Sequence, residues 1–149
     1  MINVDIIDTA ILEALKENGR ASASELSKKV RLSVPAVAER IRKLEQNDII
    51  RQYTVKIDRY QTGERLLAFI FVNIDTTMHI DNFRNQIIRH ACVLECHHVA
   101  GAYDYLLKVA LPDTQALESF LTDTLKKIDG VSGSNTIITL TTLKEEFNV

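Results

Sequence analysis

Residues 21–50 read ASASELSKKVRLSVPAVAERIRKLEQNDII, and how this stretch folds decides the architecture of the first third of the chain. Ser22-Ala23-Ser24-Glu25 has the form of a capping box, in which the Ser hydroxyl and the Glu carboxylate each accept a backbone N–H left open by the first helical turn. Ala23, Leu26 and Val30 then share one face of a short helix. Ser33 fits a second cap, with Pro35 in the first turn, where its missing N–H costs nothing. Val37, Ile41 and Leu44 mark the buried face of that helix. Only about three residues separate the two helices, the tight connection of a helix-turn-helix, whose second helix enters the major groove of DNA.

Working outward toward the N-terminus, Asp5 is a candidate cap for a helix bearing Ile7, Ile11, Ala14 and Leu15 at helical spacing, and Asn18-Gly19 offers a left-handed stop. Helices this short bury little surface alone. They need one shared core, expected to be Ile11, Leu15, Leu26, Val30, Val37, Ile41 and Leu44. With that stripe inward, Val34, Pro35, Ala36, Glu39, Arg42 and Lys43 point outward. Small residues at the start of the helix suit close approach to base edges, and Arg42 and Lys43 suit phosphates. Arg20, Ser22 and Ser33 complete the candidate DNA-binding set. Arg40 lies beside the buried stripe and reads two ways, as a DNA contact or as the ion-pair partner of a neighbour such as Glu45 or Asp48.

Charge points the same way. The chain has 149 residues and a formal net charge of −2, yet between Arg20 and Lys43 seven basic residues face only Glu25 and Glu39. A local basic patch in an otherwise acidic protein suits either a phosphate-facing surface or a solvated helix.

From Ile50 the apolar period changes from helical to two, with Tyr53, Val55 and Ile57 on one side, and residues 58–65 are polar and turn-prone. A strand and linker over 51–65 is therefore expected between a domain at 1–50 and another at 66–149. In the second domain the pattern predicts a strand at 66–75, a helix at 79–90, strands at 92–99 and 104–111, a helix at 114–128 and a strand at 135–143. This β-α-β-β-α-β order predicts an α+β, ferredoxin-like antiparallel sheet with both helices on one face. The first strand is apolar on both sides, Leu67, Phe69 and Phe71 alternating with Ala68, Ile70 and Val72. The face without helices then needs a cover, and a second copy of the chain is expected to supply it as a two-fold dimer. Such a dimer suits a helix-turn-helix, because it reads two half-sites about one turn of DNA apart.

The pattern Leu32-Ser33-x3-Val37-x2-Arg40-Ile41-x2-Leu44-Glu45-x3-Ile49-Ile50 resembles the DNA-binding domain of the Lrp/AsnC family of feast/famine regulators, a winged-helix-like helix-turn-helix. Asp48 departs from it, since the family usually has Gly there, and Asp tolerates the left-handed conformation moderately. The stretch 93–107, with Gly101-Ala102-Tyr103-Asp104 after a strand, is similar to the Gly-x-x-Asp hairpin of the same family's second domain. The two likenesses, in this order, cover nearly the whole chain. The resemblance implies a sequence-specific transcription regulator that binds double-stranded DNA, dimerises through its C-terminal domain, assembles dimers to octamers and binds a small effector, commonly an amino acid. The corresponding loop here is Gly101, Ala102, Tyr103 and Asp104. Gly101 would let a ligand carboxylate approach backbone N–H groups, and Asp104 could pair with an ammonium. Taken without the family, Gly101 turns a hairpin and Asp104 caps it. Ser134 and Thr136 are weaker candidates to complete a pocket from another subunit.

Other chemistry is not expected. Cys92, Cys96, His97 and His98 invite a zinc proposal, but on one strand Cys92, Cys96 and His98 would be strung over about 20 Å, too far for one tetrahedral metal. Reduced thiols and no metal or other cofactor follow. With no nucleophile elbow, phosphate loop or paired-carboxylate site, an enzyme is not expected. An acidic start and a longest apolar run of Leu66 to Val72 suggest a cytoplasmic protein without a membrane span. Two alternatives stand beside the regulator: an architectural protein that wraps DNA, and a metabolite-sensing module without direct DNA readout.

Overall fold

The computed structural model describes residues 4–146 and 148, and the chain divides into two compact units, the first built on residues up to Lys56 and the second on Ile57–Glu145.

The first unit is three helices, α1 (Ile6–Glu17), α2 (Ala23–Val30) and α3 (Val34–Gln46). All three begin on the caps expected from sequence. Asp5 and Asp8 form a reciprocal box on α1, Ser22 and Glu25 form one on α2, and Ser33 Oγ accepts the Ala36 N–H on α3, with Pro35 in the first turn. Such caps stabilise a helix by roughly 1 kcal/mol each. The helices close on Ile11, Ala14, Leu26, Val37 and Leu44, with Ile7, Leu15, Val30 and Ile41 packed at the margin. The turn between α2 and α3 contains no glycine; Arg31 itself takes the left-handed conformation at φ 56°. Asp48 does the same at φ 54°, and the Ile49 and Ile50 amides return to the Leu44 carbonyl. The departure from Gly at position 48 therefore leaves the helix stop intact.

Two expectations for this region are corrected. Asn18-Gly19 makes no left-handed stop: Asn18 is extended at φ −142°, and its side chain accepts the Arg20 N–H while its carbonyl accepts that of Ala21. An Asn side chain that mimics the backbone in this way ends a helix without positive φ. The two-residue alternation at Tyr53, Val55 and Ile57 does not become a strand, and all three side chains are exposed. A strand needs a neighbour to satisfy its N–H and C=O groups, and the chain offers none there.

The second unit opens with a single helical turn, α4 (Arg59–Thr62), and continues as β1 (Leu66–Ile74), α5 (Ile80–Ile87), β2 (Val93–His98), β3 (Tyr105–Leu111), α6 (Thr114–Ser119) and β4 (Val131–Ile138). The sheet order is β2-β3-β1-β4 with every pairing antiparallel, as the ferredoxin-like order requires. Ala68, Ile70 and Val72 of β1 lie opposite Val109, Leu107 and Tyr105 of β3, and these six are buried against Phe83, Ile87, Leu117, Phe120 and Leu125.

The predicted helix over 114–128 and strand over 135–143 are adjusted. After Ser119 the chain widens into a π-turn over Phe120–Thr124 and then tightens to a 3-10 turn over Leu125–Lys127. The wide turn brings Leu117, Phe120 and Leu125 into one core although they do not share a strict helical period. The last strand starts four residues early, at Val131, because Val131, Gly133 and Ser134 pair along β1 instead of turning, with Ser132 skipped where the register shifts. It ends at Ile138, opposite Ala68; the Thr139 N–H makes one more bond, to the Leu67 carbonyl.

Candidate nucleic-acid interface and ligand loop

Around α3 each residue advances about 100°. Opposite the buried Val37 and Leu44 and the half-buried Ile41 this places Pro35, Glu39, Arg42 and Gln46, all exposed. Val34 and Lys43 flank the stripe and are exposed as well. Arg42 is held by Glu39 in a two-point ion pair, Nε to Oε2 at 2.8 Å and Nη2 to Oε1 at 2.6 Å, with Lys43 Nζ 3.8 Å from the same carboxylate. These cations therefore share one acidic partner on the outward side. Arg42 holds the Glu39 carboxyl below its ordinary range, against a smaller effect of burial.

Ala36 is corrected: it is half-buried, on the side of α3 turned to α1, where a cavity of about 440 Å³ is lined by Asp8, Ala36, Arg40 and Asn47 among others. Gln46 and Ala38, exposed on α3, were not predicted; a stricter use of the 100° step would have found Gln46. Arg40 also departs from expectation. Its partners are neither Glu45 nor Asp48 but Asp5 and Asp8, each 2.7 Å from Nη1. Glu45 instead accepts the Tyr53 hydroxyl at 2.9 Å, and burial together with that carboxylate pushes the Tyr53 phenol up to about 12. Ser22 and Ser33 are committed to their caps, and exposed Arg20 donates its backbone N–H to Asn18. Nearby, Lys29 pairs with Glu17 at 2.8 Å.

In the second unit the loop after β2 reaches its tip at Gly101, with φ 155°, a backbone state that L side chains rarely adopt. Beyond its two chain neighbours, no heavy atom lies within 4 Å of where a Cβ would stand, so the space over Gly101 is open. Ala102 is exposed. Tyr103 lays its ring 5.0 Å from that of Phe71, and its hydroxyl is 3.1 Å from Asn135 Nδ2. Asp104 is half-buried, and its carboxylate accepts the Ile74 N–H at 2.7 Å while its backbone joins Val72 and Val99. That oxygen is already engaged, which favours the hairpin-capping role over an ammonium partner.

Ser134 and Thr136 lie opposite Val72 and Ile70, on the helix side of the sheet, whereas Tyr103 meets Phe71 on the other side. A single copy of the chain therefore does not bring them to the Gly101 loop. Asn135 is the β4 residue that reaches it, and residue alternation along a strand is the signal that identifies it.

The remaining titratable cluster is structural. Cys92 and Cys96 are half-buried against the core, and burial pushes both thiols up, away from reactive thiolate. His98 stacks on Tyr105 at 5.0 Å and His97 pairs with Glu95 at 3.1 Å. Among the described residues no three His, Cys, Asp or Glu side chains converge to hold a metal, and no helix is long and apolar enough to cross a membrane.

Comparison with known proteins adds the family. Residues 4–51 match the winged helix-turn-helix DNA-binding model and residues 67–149 the Lrp/AsnC ligand-binding domain. The chain is 33% identical to the leucine-responsive regulatory protein of Escherichia coli K12 over 145 residues, 96% of this chain and 88% of the relative. A transcriptional regulator of Neisseria meningitidis, solved in complex with L-Met, superposes with a TM-score of 0.95 at 32% identity, covering 99% of this chain and 96% of that one. LrpC of Bacillus subtilis superposes at 0.87 with 29% identity, covering 97% and 100%. With three capped helices presenting one polar stripe, a four-stranded sheet bearing the Gly101 loop, and both family models in register, the chain belongs to the Lrp/AsnC family of DNA-binding transcription regulators.

Proposed function

We propose that the chain works as a two-fold dimer in which the exposed stripe of α3, Pro35, Glu39, Arg42 and Gln46, reads the major groove. Val34 and Lys43 flank the contact, and Arg20, Ser22 and Ser33 lie near the backbone. The observation that carries this reading is the position of the stripe, directly opposite the core of the first unit and carrying exposed Arg42, with exposed Lys43 next to it on α3. The dimer forms through the sheet face that no helix covers, where Phe69, Phe71, Leu106 and Ile137 lie around Lys108. Dimers assemble further, to octamers, and the protein acts in the cytoplasm.

The Gly101 loop, with Ala102, Tyr103 and Asp104, binds a small effector, an amino acid. Support comes from the open space at Gly101 and from the L-Met complex of the Neisseria regulator. Ser134 and Thr136 complete the pocket only across subunits. Binding shifts the population of assembly states and thereby DNA affinity.

One combined experiment tests the reading. Duplexes are selected from a random pool by the full-length protein and footprinted with and without each of the twenty amino acids, while the assembly state is followed by sedimentation. A defined protected site whose occupancy changes with one amino acid is expected. Broad protection repeating about every 10 bp would replace it with an architectural role. Absence of salt-dependent binding would remove DNA readout.

A further inference from the structure

Arg40 sits in the middle of the helix assigned above to the groove, yet its guanidinium points elsewhere. Nη1 lies 2.7 Å from Asp5 Oδ2 and 2.7 Å from Asp8 Oδ1, and the side chain is 29% exposed against 15% for Asp8. Both carboxylates are themselves fixed. Asp5 Oδ1 accepts the Asp8 N–H at 2.8 Å, and Asp8 Oδ2 accepts the Asp5 N–H at 3.4 Å, so the first turn of α1 holds the two acids in place. Around α3, Arg40 is two residues from Arg42, about 160° away on the wheel, and therefore faces α1 and not the exposed stripe.

To turn Nη1 onto a phosphate, Arg40 would have to give up two charge-assisted hydrogen bonds, each stronger than a neutral one. The site it would leave holds two carboxylates, which repel DNA. The titration directions agree with the geometry. The Asp8 amide and then Arg40 hold the Asp5 carboxyl below its ordinary value, and Asp8 and Asp5 raise Arg40.

We propose that Arg40 is a positioning residue and not a DNA contact: clamped by Asp5 and Asp8, it locks the rotation of α3 against α1 and so decides which α3 side chains face the groove. The inference rests on α3 being the reading helix. A helix on a small core can roll by tens of degrees while keeping its apolar stripe half-buried, and a roll of that size would exchange Glu39 for Lys43 at the centre of the contact. An ion pair tied to a neighbouring helix at one residue opposes that roll directly. Acidic residues in the first turn of α1 thereby acquire a role in sequence discrimination although they lie on a different helix from the bases' readers.

The test uses the full-length protein, the duplex it selects from a random pool, and a scrambled duplex of the same composition, across a salt series. Arg40→Gln removes the clamp and one positive charge. Asp5→Asn with Asp8→Asn removes the clamp while leaving Arg40 charged, and Asn remains a good helix cap, so α1 keeps its start. Arg40→Lys keeps a cation within reach of both acids. Affinities are read well below each variant's Tm.

The proposal expects Arg40→Gln to lower the ratio of selected to scrambled binding about tenfold, a loss of the size of one mismatched base pair, with the salt slope unchanged. Arg40→Lys restores most of that ratio. The double Asn variant loses the ratio as well, and its salt slope steepens by about 0.9 per subunit as the freed Arg40 finds phosphate. A slope that falls by about 0.9 per subunit in Arg40→Gln makes Arg40 a phosphate contact and overturns the proposal. An unchanged ratio in both clamp variants overturns it too. If the unaltered protein selects no duplex, the failure lies in the reading of α3 itself.

Discussion

The two faces of the four-stranded sheet are built from alternate residues of the same strands, yet they are opposite in kind. On its two central strands, β1 and β3, the helix-covered face carries Ala68, Ile70, Val72, Tyr105, Leu107 and Val109, and the one hydroxyl among these six, that of Tyr105, accepts from Arg84 Nε at 2.7 Å. The other face carries Leu67, Phe69, Phe71, Leu106, Ala110 and Ile137, but has Lys108 at its centre, opposite Phe69. Lys108 is only 9% exposed and is held by Glu95 at 3.1 Å and Glu145 at 2.7 Å. Burial lowers the Lys108 ammonium, but the two carboxylates outweigh it and leave the group above its ordinary value.

The contrast teaches a division of labour. A uniformly apolar face drives collapse and tolerates many partners of similar shape, whereas a paired charge inside an apolar face penalises any arrangement that leaves it unpaired. The first face makes the unit fold; the second, in the proposed dimer, would select what covers it.

Breaking the inner face has the largest effect on this comparison. Ile70→Ala should destabilise the protein by about 3–4 kcal/mol, through lost transfer energy and the cavity left behind. Urea unfolding should show this loss at every protein concentration, since the inner face needs no second copy. A loss that vanished at high concentration would mean that the two faces had been assigned the wrong way round.

Removing the central charge has a middling effect. Lys108→Ala should cost roughly 1–2 kcal/mol at neutral pH, because Glu95 and Glu145 remain partly hydrated when their cation is gone. The same pair predicts acid sensitivity. His97 and then Lys108 hold the Glu95 carboxyl below its ordinary value of 4.5. A depressed folded-state pKa contributes stability that is complete above the unfolded value and is lost as pH falls through the folded one. The unaltered protein should therefore lose this contribution below about pH 4.5, and Lys108→Ala should flatten that limb of the stability curve.

Phe69→Asp sharpens the assignment of the outer face. Within one copy the change should cost about 1–2 kcal/mol, since Phe69 is half-buried on a central strand, and it places a further carboxylate opposite Lys108 on the face proposed to meet another subunit. Sedimentation should report a folded monomer at micromolar concentration. A dimer of unchanged strength would move the interface elsewhere.

The smallest effect on stability is expected at the rim. Gly101→Arg places a side chain in open space at a strained φ, at a cost of about 1 kcal/mol. The site-specific DNA binding of the dimer should persist while its response to amino acids disappears, and a retained response would sink the loop as the effector site.

Much of this was legible in the residues. Capping chemistry is local, so Asp5, Ser22 and Ser33 announced their helices correctly, and the β-α-β-β-α-β order followed from changes of apolar period. The π-turn over Phe120–Thr124 was not legible, because its cause is the fit of Phe120 and Leu125 into a distant core and not any preference of the residues themselves. Nor was the pairing of Val131, Gly133 and Ser134 with β1, since polar, glycine-bearing strands look like turns until a neighbour offers hydrogen bonds. On α3 the wheel put Glu39, Arg42 and Lys43 on the exposed side, where the structure has them, and put Ala36 there too, which is half-buried at the boundary of the stripe.

What the sequence determined by itself is what local chemistry carries: which caps start the three helices of the first unit and which residues along one element can share a face. What only the tertiary structure decided is which of several nearby partners a charged side chain takes. Arg40 had Glu45 and Asp48 within the next eight residues of the chain and took Asp5 and Asp8, more than 30 residues away. Ion pairing depends on distance and shared burial, and both are set by how α1 lies across α3, a quantity that no local pattern along the chain encodes.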